Sequence, residues 1–361
     1  MADLRALGRA FSIPGEFVEA LPHGNGHIND TYAASYLAEG GLKRFIHQRI
    51  NSQVFKNPAA LMENVSRVTR HQQAALSGPG AERRALRLLP ARDGLPYVID
   101  AEGYFWRSTP FIEGAKTFDL AESPAQAHEA ARAFGAFLKS LAGLGGPRLH
   151  ETIPGFHDTP QRLKNFEASL GRDAAGRLGG CRAEADFILA AAPQAGRLSA
   201  MLASGRIPER PTHNDTKLNN VLMDEATGKA VCVIDLDTVM PGLAAHDFGD
   251  LVRSAAHPAA EDSSQPEKAV LQWDKFEALA RGFVEGAGDS LTRAEKESLP
   301  LGAWTLAFEQ GARFLADHLD GDAYYKISRP GQNLDRARVQ LALARDIASK
   351  LTEMGALIAS L

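Results

Sequence analysis

The chain has 361 residues, 44% hydrophobic and 23% charged, which is long enough for two domains or one large two-lobed unit. Its net charge of −4 offers no broad basic surface, and this argues against a nucleic-acid-binding protein. No uncharged apolar stretch approaches the roughly 18 residues of a membrane span, and the first residues lack the apolar run of a secretory signal. The two cysteines, Cys181 and Cys232, have no CxxC spacing and suit a reducing compartment. We therefore expect a soluble, cytoplasmic protein that binds neither nucleic acid nor membranes.

Short strands and one helix account for the first 114 residues. Residues 42–51 alternate strictly, with Phe45, His47 and Arg49 on one face and the intervening side chains on the other. A helix is predicted to begin at Pro58, because proline is favoured in the first turn of a helix. The other predicted strands are 15–24 and 28–39, joined by the turn Gly24-Asn25-Gly26, and then 86–90, 96–100 and 104–114.

After Gly114 the sequence becomes rich in helix formers. Helical segments dominate the remainder, except within 212–240, where residues 229–237 read as a short apolar strand that ends in carboxylates. The sequence therefore predicts an α+β fold. A small antiparallel β-sheet lobe with one helix, residues 1–114, should precede a larger, mainly α-helical lobe, residues 115–361.

The residues from His213 to Asn220 fit the pattern H-x-D-x-x-x-x-N of a kinase catalytic loop. An acceptor hydroxyl is a weak nucleophile, so a carboxylate must orient it and take its proton, and Asp215 stands at that position. Asn220 would supply a neutral oxygen to Mg²⁺, a hard cation that prefers oxygen ligands. The alternative is an ordinary polar turn in which Asn214 or Asp215 caps a helix. The pattern predicts Mg²⁺- and ATP-dependent phosphoryl transfer, with Asp215 as the catalytic base.

Further carboxylates follow the catalytic loop. Asp235 closes the apolar run 231–234, where a kinase places its second metal ligand. Asp237 should point to the same side of an extended chain, and we assign it to the metal as well, or alternatively to stabilising a turn. The tripeptide Asp247-Phe248-Gly249 has the letters of a kinase DFG but begins a predicted helix. We therefore interpret Asp247 as a helix N-cap or as a brace for the catalytic loop.

The N-terminal lobe is predicted to bind ATP and to hold its phosphates. The Gly-rich turn between the first two strands could cover the phosphates with its backbone N–H groups. The strand 42–51 should carry a phosphate-binding cation, and that position is Arg49, although a solvated strand arginine is the alternative. Glu63 is the predicted ion-pair partner of Arg49, and residues 111–113 are the predicted hinge for adenine. The predicted ATP-binding residues are Gly24, Asn25, Gly26, Arg49, Glu63, Phe111, Ile112, Glu113 and Lys217.

The runs HNDTKLNN and VIDLDTVMPG and the two-lobed layout together resemble the aminoglycoside phosphotransferase/choline kinase-like superfamily, whose members have a protein-kinase-like fold. Within it the chain is similar to the N-acetylhexosamine 1-kinases, through the longer runs HGNGHINDTY, QRINSQVFKNPAALMENV and ARFLADHLDGDAYYKI. The resemblance covers nearly the whole chain. It implies transfer of the ATP γ-phosphate to the anomeric hydroxyl of a free sugar. It also implies that Asp215 is the base and that Asn220 and Asp235 bind the metal.

A sugar site is implied by the same resemblance. The residues assigned to substrate binding are Asn214, Asp215, Arg313, Asp317 and Tyr324. Without the resemblance, Glu309, Arg313 and Asp317 simply share one helix face at i, i+4 and i+8, where a surface salt-bridge ladder is the alternative.

Two other functions fit the pattern. One is a kinase of the same fold that acts on an amino alcohol or an aminoglycoside, for which the acceptor site should be markedly acidic. The C-terminal run instead mixes Arg313 and tyrosines with its acids. The other is a pseudokinase that binds nucleotide without transfer. The presence of Asp215, Asn220 and Asp235 argues against it, whereas Arg49 in place of the usual lysine favours it.

Overall fold

The computed structural model describes residues 3–24 and 28–361. Its helices are α1 (Leu4–Ala10), α2 (Pro58–Ala75), α3 (Pro124–Leu141), α4 (Thr159–Arg172), α5 (Arg182–Ala195), α6 (Arg197–Ala203), α7 (Ala244–Ala255), α8 (Trp273–Ala287), α9 (Arg293–Leu319) and α10 (Gln332–Ala359). Its strands are β1 (Glu16–Pro22), β2 (Asp30–Ala38), β3 (Gly41–Arg49), β4 (Val98–Ile99), β5 (Phe105–Pro110), β6 (Ala115–Lys116), β7 (Arg210–Thr212), β8 (Val221–Asp224), β9 (Ala230–Val233) and β10 (Met240–Gly242).

The N-terminal lobe is a five-stranded antiparallel sheet with the order β1-β2-β3-β5-β4. Together with the larger helical part, it confirms the predicted α+β, two-lobed kinase-like fold. Helix α2 begins at Pro58 as predicted, and the side chain of Asn57 accepts a hydrogen bond from the Ala60 N–H as its cap. The segment 86–90 is not a strand, although Leu89 donates one backbone hydrogen bond to Ser108 of β5. Helix α1 was not predicted.

The two faces of this sheet have different environments. On one face the sheet packs against α1, in a cluster formed by Leu7, Phe11, Ala34, Tyr36, Phe45, Leu89, Ala91 and Trp106. On the other face lie α2 and the beginning of the helical lobe, in a cluster that includes Ile50, Leu61, Met62, Phe137, Leu236 and Val239. Side chains alternate between these faces along each strand, so a charged residue's position within β3 or β5 decides which environment it reaches.

The helical lobe surrounds the 27-residue helix α9, which packs against α4, α7 and α10, while α3 packs against α8. At the α7–α9 crossing the two backbones approach closely. A Cβ on Gly249 of α7 would lie 2.3 Å from the carbonyl oxygen of Gly302 on α9. A Cβ on Gly302 would lie 2.0 Å from the carbonyl oxygen of Ala245. Any larger residue at either position would therefore force the two helices apart.

The chain passes from the sheet to the helical lobe at residues 111–114. The Phe111 N–H donates to the Arg44 carbonyl at 3.0 Å, and the Gly114 carbonyl accepts from the Glu225 N–H at 2.9 Å. Strand β6 pairs with β8, which pairs with β9, while β7 pairs with β10. These two small sheets support the loops that carry the candidate site. No helix in the described part of the chain is long and apolar enough to cross a membrane.

Candidate active site

The predicted catalytic loop connects β7 to β8 and is anchored by the fully buried His213. Its Nε2 donates to the Ile234 carbonyl at 2.9 Å, and its Nδ1 accepts from the Asp215 N–H at 3.3 Å. The rings of Phe134 and Phe137 pack edge-on against the imidazole. The histidine of the motif therefore links the loop to the segment that precedes Asp235.

Asp247 was predicted to cap a helix or to brace this loop, and the structure shows that it braces the loop. Its carboxylate accepts the backbone N–H groups of His213 at 3.0 Å and Asn214 at 2.7 Å. Burial raises the pKa of Asp247 to about 6, although these hydrogen bonds and His213 act in the opposite direction. The N-cap of α7 is Leu243, so Asp247 lies in the first turn of the helix and does not cap it.

Asp215 lies at the centre of the loop with both carboxylate oxygens engaged. Lys217 Nζ lies 3.0 Å from Oδ1, and Asn220 Nδ2 donates to Oδ2 at 3.1 Å and to the Asp215 carbonyl at 2.8 Å. Burial favours the neutral acid, but the charge and the hydrogen bond of Lys217 outweigh it and hold the pKa of Asp215 below its usual range. Asp215 is therefore ionised at neutral pH. Because Asn220 uses its amide nitrogen on Asp215, its side-chain oxygen is left for a metal.

Asp235 follows the end of β9 with a positive φ of +57°, an uncommon conformation for aspartate. Its side chain is exposed and forms no hydrogen bond to the described residues. Partial desolvation and then the negative charges of Asp237 and Asp215 raise the pKa of Asp235. A cation would relieve this repulsion.

The donor set around Asp235 and Asn220 fits Mg²⁺. Among the described residues, no group of three or more His, Cys, Asp or Glu side chains has the arrangement of a metal site. Mg²⁺ does not need one, because it is usually held by one or two protein oxygens together with substrate phosphates and water. Asp235 and the side-chain oxygen of Asn220 would supply those protein ligands.

Asp237 differs from its predicted role as a metal ligand. Residues 236–238 form a short 3₁₀ turn after Asp235, so the chain is not extended and the two carboxylates diverge. Asp237 is 2% exposed, and its oxygens accept hydrogen bonds from Arg107 Nη1 and, at 2.6 Å, from Asn29 Nδ2. Both donors belong to the N-terminal lobe. Asp237 therefore joins the two lobes.

Arg49 and Glu63 do not form the predicted ion pair. Arg49 pairs with Asp30 and lies over the ring of Tyr104, on the face of the sheet that packs against α1. Glu63 accepts from His150 at 2.8 Å. The predicted alternation along β3 is correct, but the face that carries Arg49 is turned away from the catalytic loop. Arg49 is thus misplaced for phosphate binding.

The buried cation on the opposite face is Arg107 of β5, which sequence reasoning missed. Its Nε and Nη2 donate to Gln48 Oε1 at 2.9 and 2.6 Å, while Nη1 contacts Asp237. Gln48 and Arg107 are directly paired across β3 and β5, one position along from the pair Arg49 and Trp106. An arginine next to Trp106 in the strand Phe105–Pro110 was the available signal, because a charged residue in a buried strand needs a buried partner.

The predicted hinge places three residues between the lobes. The amide N–H groups of Ile112 and Glu113 have no acceptor in the described part of the chain, as adenine recognition would require. The Arg44 guanidinium stacks on the ring of Phe111, 3.8 Å from its centroid, and pairs with the Glu113 carboxylate. Of the predicted Gly-rich turn, Gly24 has a φ of +77°, whereas Asn25 and Gly26 lie outside the described residues.

Beyond the catalytic loop, Arg313 of α9 lies in an aromatic setting. Its guanidinium is 5.5 Å from the ring centroid of Phe156 and 5.8 Å from that of Tyr325, and it donates to Gln310 Oε1 at 3.1 Å. Among the described residues, no carboxylate lies within ion-pair distance of Arg313. A second arginine, Arg162, lies nearby: its Nη2 donates at 3.0 Å to the carbonyl of Phe156, whose ring faces Arg313, and burial and then the charge of Arg313 lower the pKa of Arg162. This part of the site has an excess of positive charge.

The acids that flank Arg313 on α9 have other partners, so the alternative of a surface salt-bridge ladder is wrong. Glu309 is 1% exposed and accepts from His157 at 3.0 Å and Thr159 at 2.6 Å.

Asp317 accepts the backbone N–H groups of Tyr324 at 2.7 Å and Tyr325 at 3.0 Å. Asp317 therefore shapes the loop that carries the two tyrosines and is not free for direct contact with a substrate. Tyr324, which is predicted to bind substrate, lies in this loop and is 64% exposed, so its side chain is accessible to a ligand.

His157 connects this cluster to the catalytic loop. Its other ring nitrogen, Nε2, faces the Asn214 carbonyl at 2.9 Å, so both ring nitrogens donate and the imidazole is charged. Burial opposes this charge, but Glu309 outweighs it and raises the pKa of His157. The side chain of Asn214, predicted to bind substrate, is buried and donates to the Thr238 carbonyl at 3.0 Å. It holds the loop instead.

A buried ion pair on α7 was also missed. Arg253 Nε donates to Asp250 Oδ1 at 2.7 Å, and both side chains are almost fully buried. Their charges reach the catalytic loop: Asp250 helps Asp215 to raise the pKa of Lys217. The i,i+3 spacing of the two residues within the predicted helix was the available signal.

The sequence and the fold also match known proteins. Residues 19–286 match the phosphotransferase enzyme family. An aminoglycoside phosphotransferase from Alicyclobacillus acidocaldarius is similar in structure, with a TM-score of 0.62 and 16% identity over 99% of this chain and 96% of that one. A choline kinase from Cryptosporidium parvum has a TM-score of 0.55 and 12% identity, with 99% and 98% covered. An ADP-bound aminoglycoside phosphotransferase has a TM-score of 0.52 and 12% identity, with 92% and 95% covered.

At these identities the likeness to solved structures is one of fold. The family match, however, spans most of the chain and includes the whole catalytic loop and Asp235. The chain therefore belongs to the phosphotransferase enzyme family and is a small-molecule phosphotransferase with the aminoglycoside phosphotransferase/choline kinase-like fold.

Proposed function

We propose that the protein is an Mg²⁺- and ATP-dependent kinase that transfers the γ-phosphate to the anomeric hydroxyl of a free sugar, an N-acetylhexosamine. The observation that carries the choice of acceptor is the environment of Arg313. Its charge has no carboxylate partner among the described residues and is flanked by aromatic rings. Such a site favours a neutral, polyhydroxylated acceptor, whose hydroxyl oxygens accept from the guanidinium and whose C–H faces pack on rings.

The base in this proposal is Asp215. Since Lys217 keeps its carboxylate ionised, it can accept a hydrogen bond from the sugar hydroxyl and align that oxygen with phosphorus. The proton transfers late, when bond formation to phosphorus has made the hydroxyl acidic. Lys217 is half-exposed and can also contact the transferring phosphate, which agrees with its predicted place among the ATP-binding residues.

The nucleotide would lie between the lobes. The N–H groups of Ile112 and Glu113, which have no acceptor among the described residues, would bind adenine, and the predicted turn that begins at Gly24 would cover the phosphates. Asp235 and Asn220 would hold Mg²⁺, which supplies charge neutralisation on the phosphates. The ADP found in one protein of similar fold supports nucleotide use.

A cationic acceptor fits this site less well. Proteins of the same fold are named for aminoglycosides, ethanolamine and choline as acceptors, and all three carry positive charge. Around Arg313 the neighbouring acids Glu309 and Asp317 have their oxygens taken by other donors, and Arg162 adds a second positive charge. Repulsion from the two guanidinium groups would weaken binding of such acceptors.

The test is a nucleotide-consumption screen with Mg²⁺ and ATP against free sugars, amino alcohols and aminoglycosides. We expect turnover with N-acetylglucosamine or N-acetylgalactosamine. The product should be an acid-labile sugar 1-phosphate with coupling between phosphorus and H1 in the NMR spectrum. Phosphate on another carbon, or turnover only with amines, would refute the sugar 1-kinase while leaving the phosphotransferase in place. Failure with every acceptor would favour the pseudokinase.

A further inference from the structure

A buried ion pair joins the two lobes beside the candidate metal site. Arg107 of β5 is 6% exposed and Asp237 is 2% exposed, and they lie 130 positions apart in the sequence. The guanidinium is held from its other side by Gln48, which accepts from both Nε and Nη2. Gln48 in turn donates to Thr31 at 3.0 Å. The cation is therefore fixed by two strands of the sheet before it reaches the helical lobe.

The same carboxylate binds the segment that follows the Gly-rich turn. Asn29 donates to Asp237 at 2.6 Å, and the Asn29 side-chain oxygen accepts from the Asn51 N–H at 2.9 Å. Asn51 also donates to the Ile28 carbonyl at 3.0 Å. Residues 28–29 are thus tied both to the end of β3 and to the metal-site loop. In the sequence, the turn 24–26 that is predicted to cover the ATP phosphates comes shortly before this segment.

Asp237 is only two residues beyond Asp235, and the 3₁₀ turn at 236–238 makes the connection short and stiff. A displacement of Asp237 would therefore move Asp235. In protein kinases, an ion pair between a lysine of β3 and a glutamate of the following helix fixes the nucleotide side of the cleft. Here the two residues expected in that role, Arg49 and Glu63, pair with Asp30 and His150 instead.

We propose that Arg107 and Asp237 are positioning residues that hold residues 28–29, which follow the predicted Gly-rich turn in the sequence, and the candidate metal ligand Asp235 in register. Their ion pair fixes the nucleotide side of the cleft, which is the role expected of the Arg49–Glu63 pair that does not form. This role depends on the proposed use of Mg²⁺ and ATP, but it does not depend on the acceptor. It also gives both Asp237 oxygens a role other than metal binding.

The test measures Mg²⁺–ATP binding by calorimetry without any acceptor, and then the KM for ATP and kcat. The variants are Arg107→Gln, Asp237→Asn and the double variant. The matched control is Arg49→Gln, which removes an arginine of the same sheet, one position along, from an ion pair on the opposite face. We expect each single variant to weaken Mg²⁺–ATP binding at least about tenfold, and the double variant to be no weaker than the worse single variant.

The control should bind Mg²⁺–ATP like the wild type. Arg107→Lys should recover part of the loss, because lysine keeps the charge but not the forked geometry. If Arg107→Gln does not fold, the Lys variant carries the comparison.

Unchanged binding in both single variants would overturn the proposal, even if their melting temperatures fall. A loss in Asp237→Asn without any loss in Arg107→Gln would overturn it too, by making Asp237 a direct metal ligand. Absence of Mg²⁺–ATP binding in the wild type would refute the proposed kinase function itself, which is a distinct result.

Discussion

The carboxylate of Asp247 on α7 accepts a 2.7 Å hydrogen bond from the backbone N–H of Asn214 in the catalytic loop. A second bond, from His213, uses the other oxygen. Asp247→Ala would leave two buried N–H groups unsatisfied, and we expect the free energy of unfolding to fall by about 1–3 kcal/mol for each. Chemical denaturation measures this. Asp274→Ala, in the first turn of α8, is the control. A change of less than about 0.5 kcal/mol would show that the brace is dispensable.

Asp215→Asn should abolish transfer while leaving the fold and ATP binding nearly intact. The amide keeps the shape of the side chain but can neither take the proton nor hold the hydroxyl by charge. The rate should fall at least about 10²-fold, the usual scale of base catalysis. Single-turnover kinetics with saturating ATP would measure this loss. Turnover near that of the wild type would exclude Asp215 as the base.

Asp235→Ala should remove activity and raise the Mg²⁺ concentration needed for ATP binding, because the exposed carboxylate beside Asn220 is the charged protein ligand in the proposed metal site. The measurement is an Mg²⁺ titration of nucleotide binding. Asp247→Ala serves as the comparison, since its carboxylate is occupied by backbone donors. The opposite pattern, with a higher Mg²⁺ requirement only in the Asp247 variant, would reverse the assignment.

Arg313→Ala tests the acceptor site. The variant should lose roughly 1–3 kcal/mol in kcat/KM for the sugar, as for a lost hydrogen bond to a charged group, with little change in the KM for ATP. Arg345→Ala is the control, because Arg345 of α10 likewise stacks on an aromatic ring, that of Phe187 in α5, but has no assigned place in the acceptor site. An equal loss in both variants would point to packing and not to the acceptor.

Stability should fall in mild acid because His47 is buried in a neutral form. Its ring nitrogens bond to Tyr36 at 2.9 Å and Ser108 at 2.5 Å, and burial lowers the pKa of His47 to about 4. The unfolded chain binds the proton near pH 6.5, so this contribution is complete above about pH 6.5 and is lost as the pH falls to about 4.

Burial of neutral His47 should therefore lower the free energy of unfolding by about 3 kcal/mol as the pH falls over this range. In His47→Gln the free energy of unfolding should depend less steeply on pH over this range. At about pH 8 His47 is neutral in both the folded and the unfolded chain, so the difference in unfolding free energy between wild type and variant at that pH gives the cost of altered packing alone. An identical pH dependence in the wild type and the variant would contradict the assignment.

Local patterns predicted the elements of the site better than their partners. The spacing from His213 to Asn220 predicts a catalytic loop from one segment, and the contacts of Asp215 with Lys217 and Asn220 within that loop are all short in sequence. The alternation along β3 was also correct, but it could not say which face meets the helical lobe. Arg49 was therefore assigned to the wrong side, and Arg107 was overlooked.

Asp237 shows the second limit. Its prediction assumed an extended chain after Asp235, whereas the positive φ of Asp235 begins a turn that sends the next carboxylate toward the other lobe. The partner of that carboxylate lies 130 positions away. No pattern within one segment contains such a pairing.

The close α7–α9 crossing has a consequence for acceptor choice. Helix α7 carries Asp247, which holds the catalytic loop, while α9 carries Arg313. The absence of side chains at Gly249 and Gly302 therefore sets the distance between the helix that braces the catalytic loop and the helix that carries Arg313. Errors of about 1 Å in alignment cost about 10²-fold in rate. A single methyl group added at this crossing would thus shift the proposed acceptor site relative to the catalytic loop without altering any residue of either.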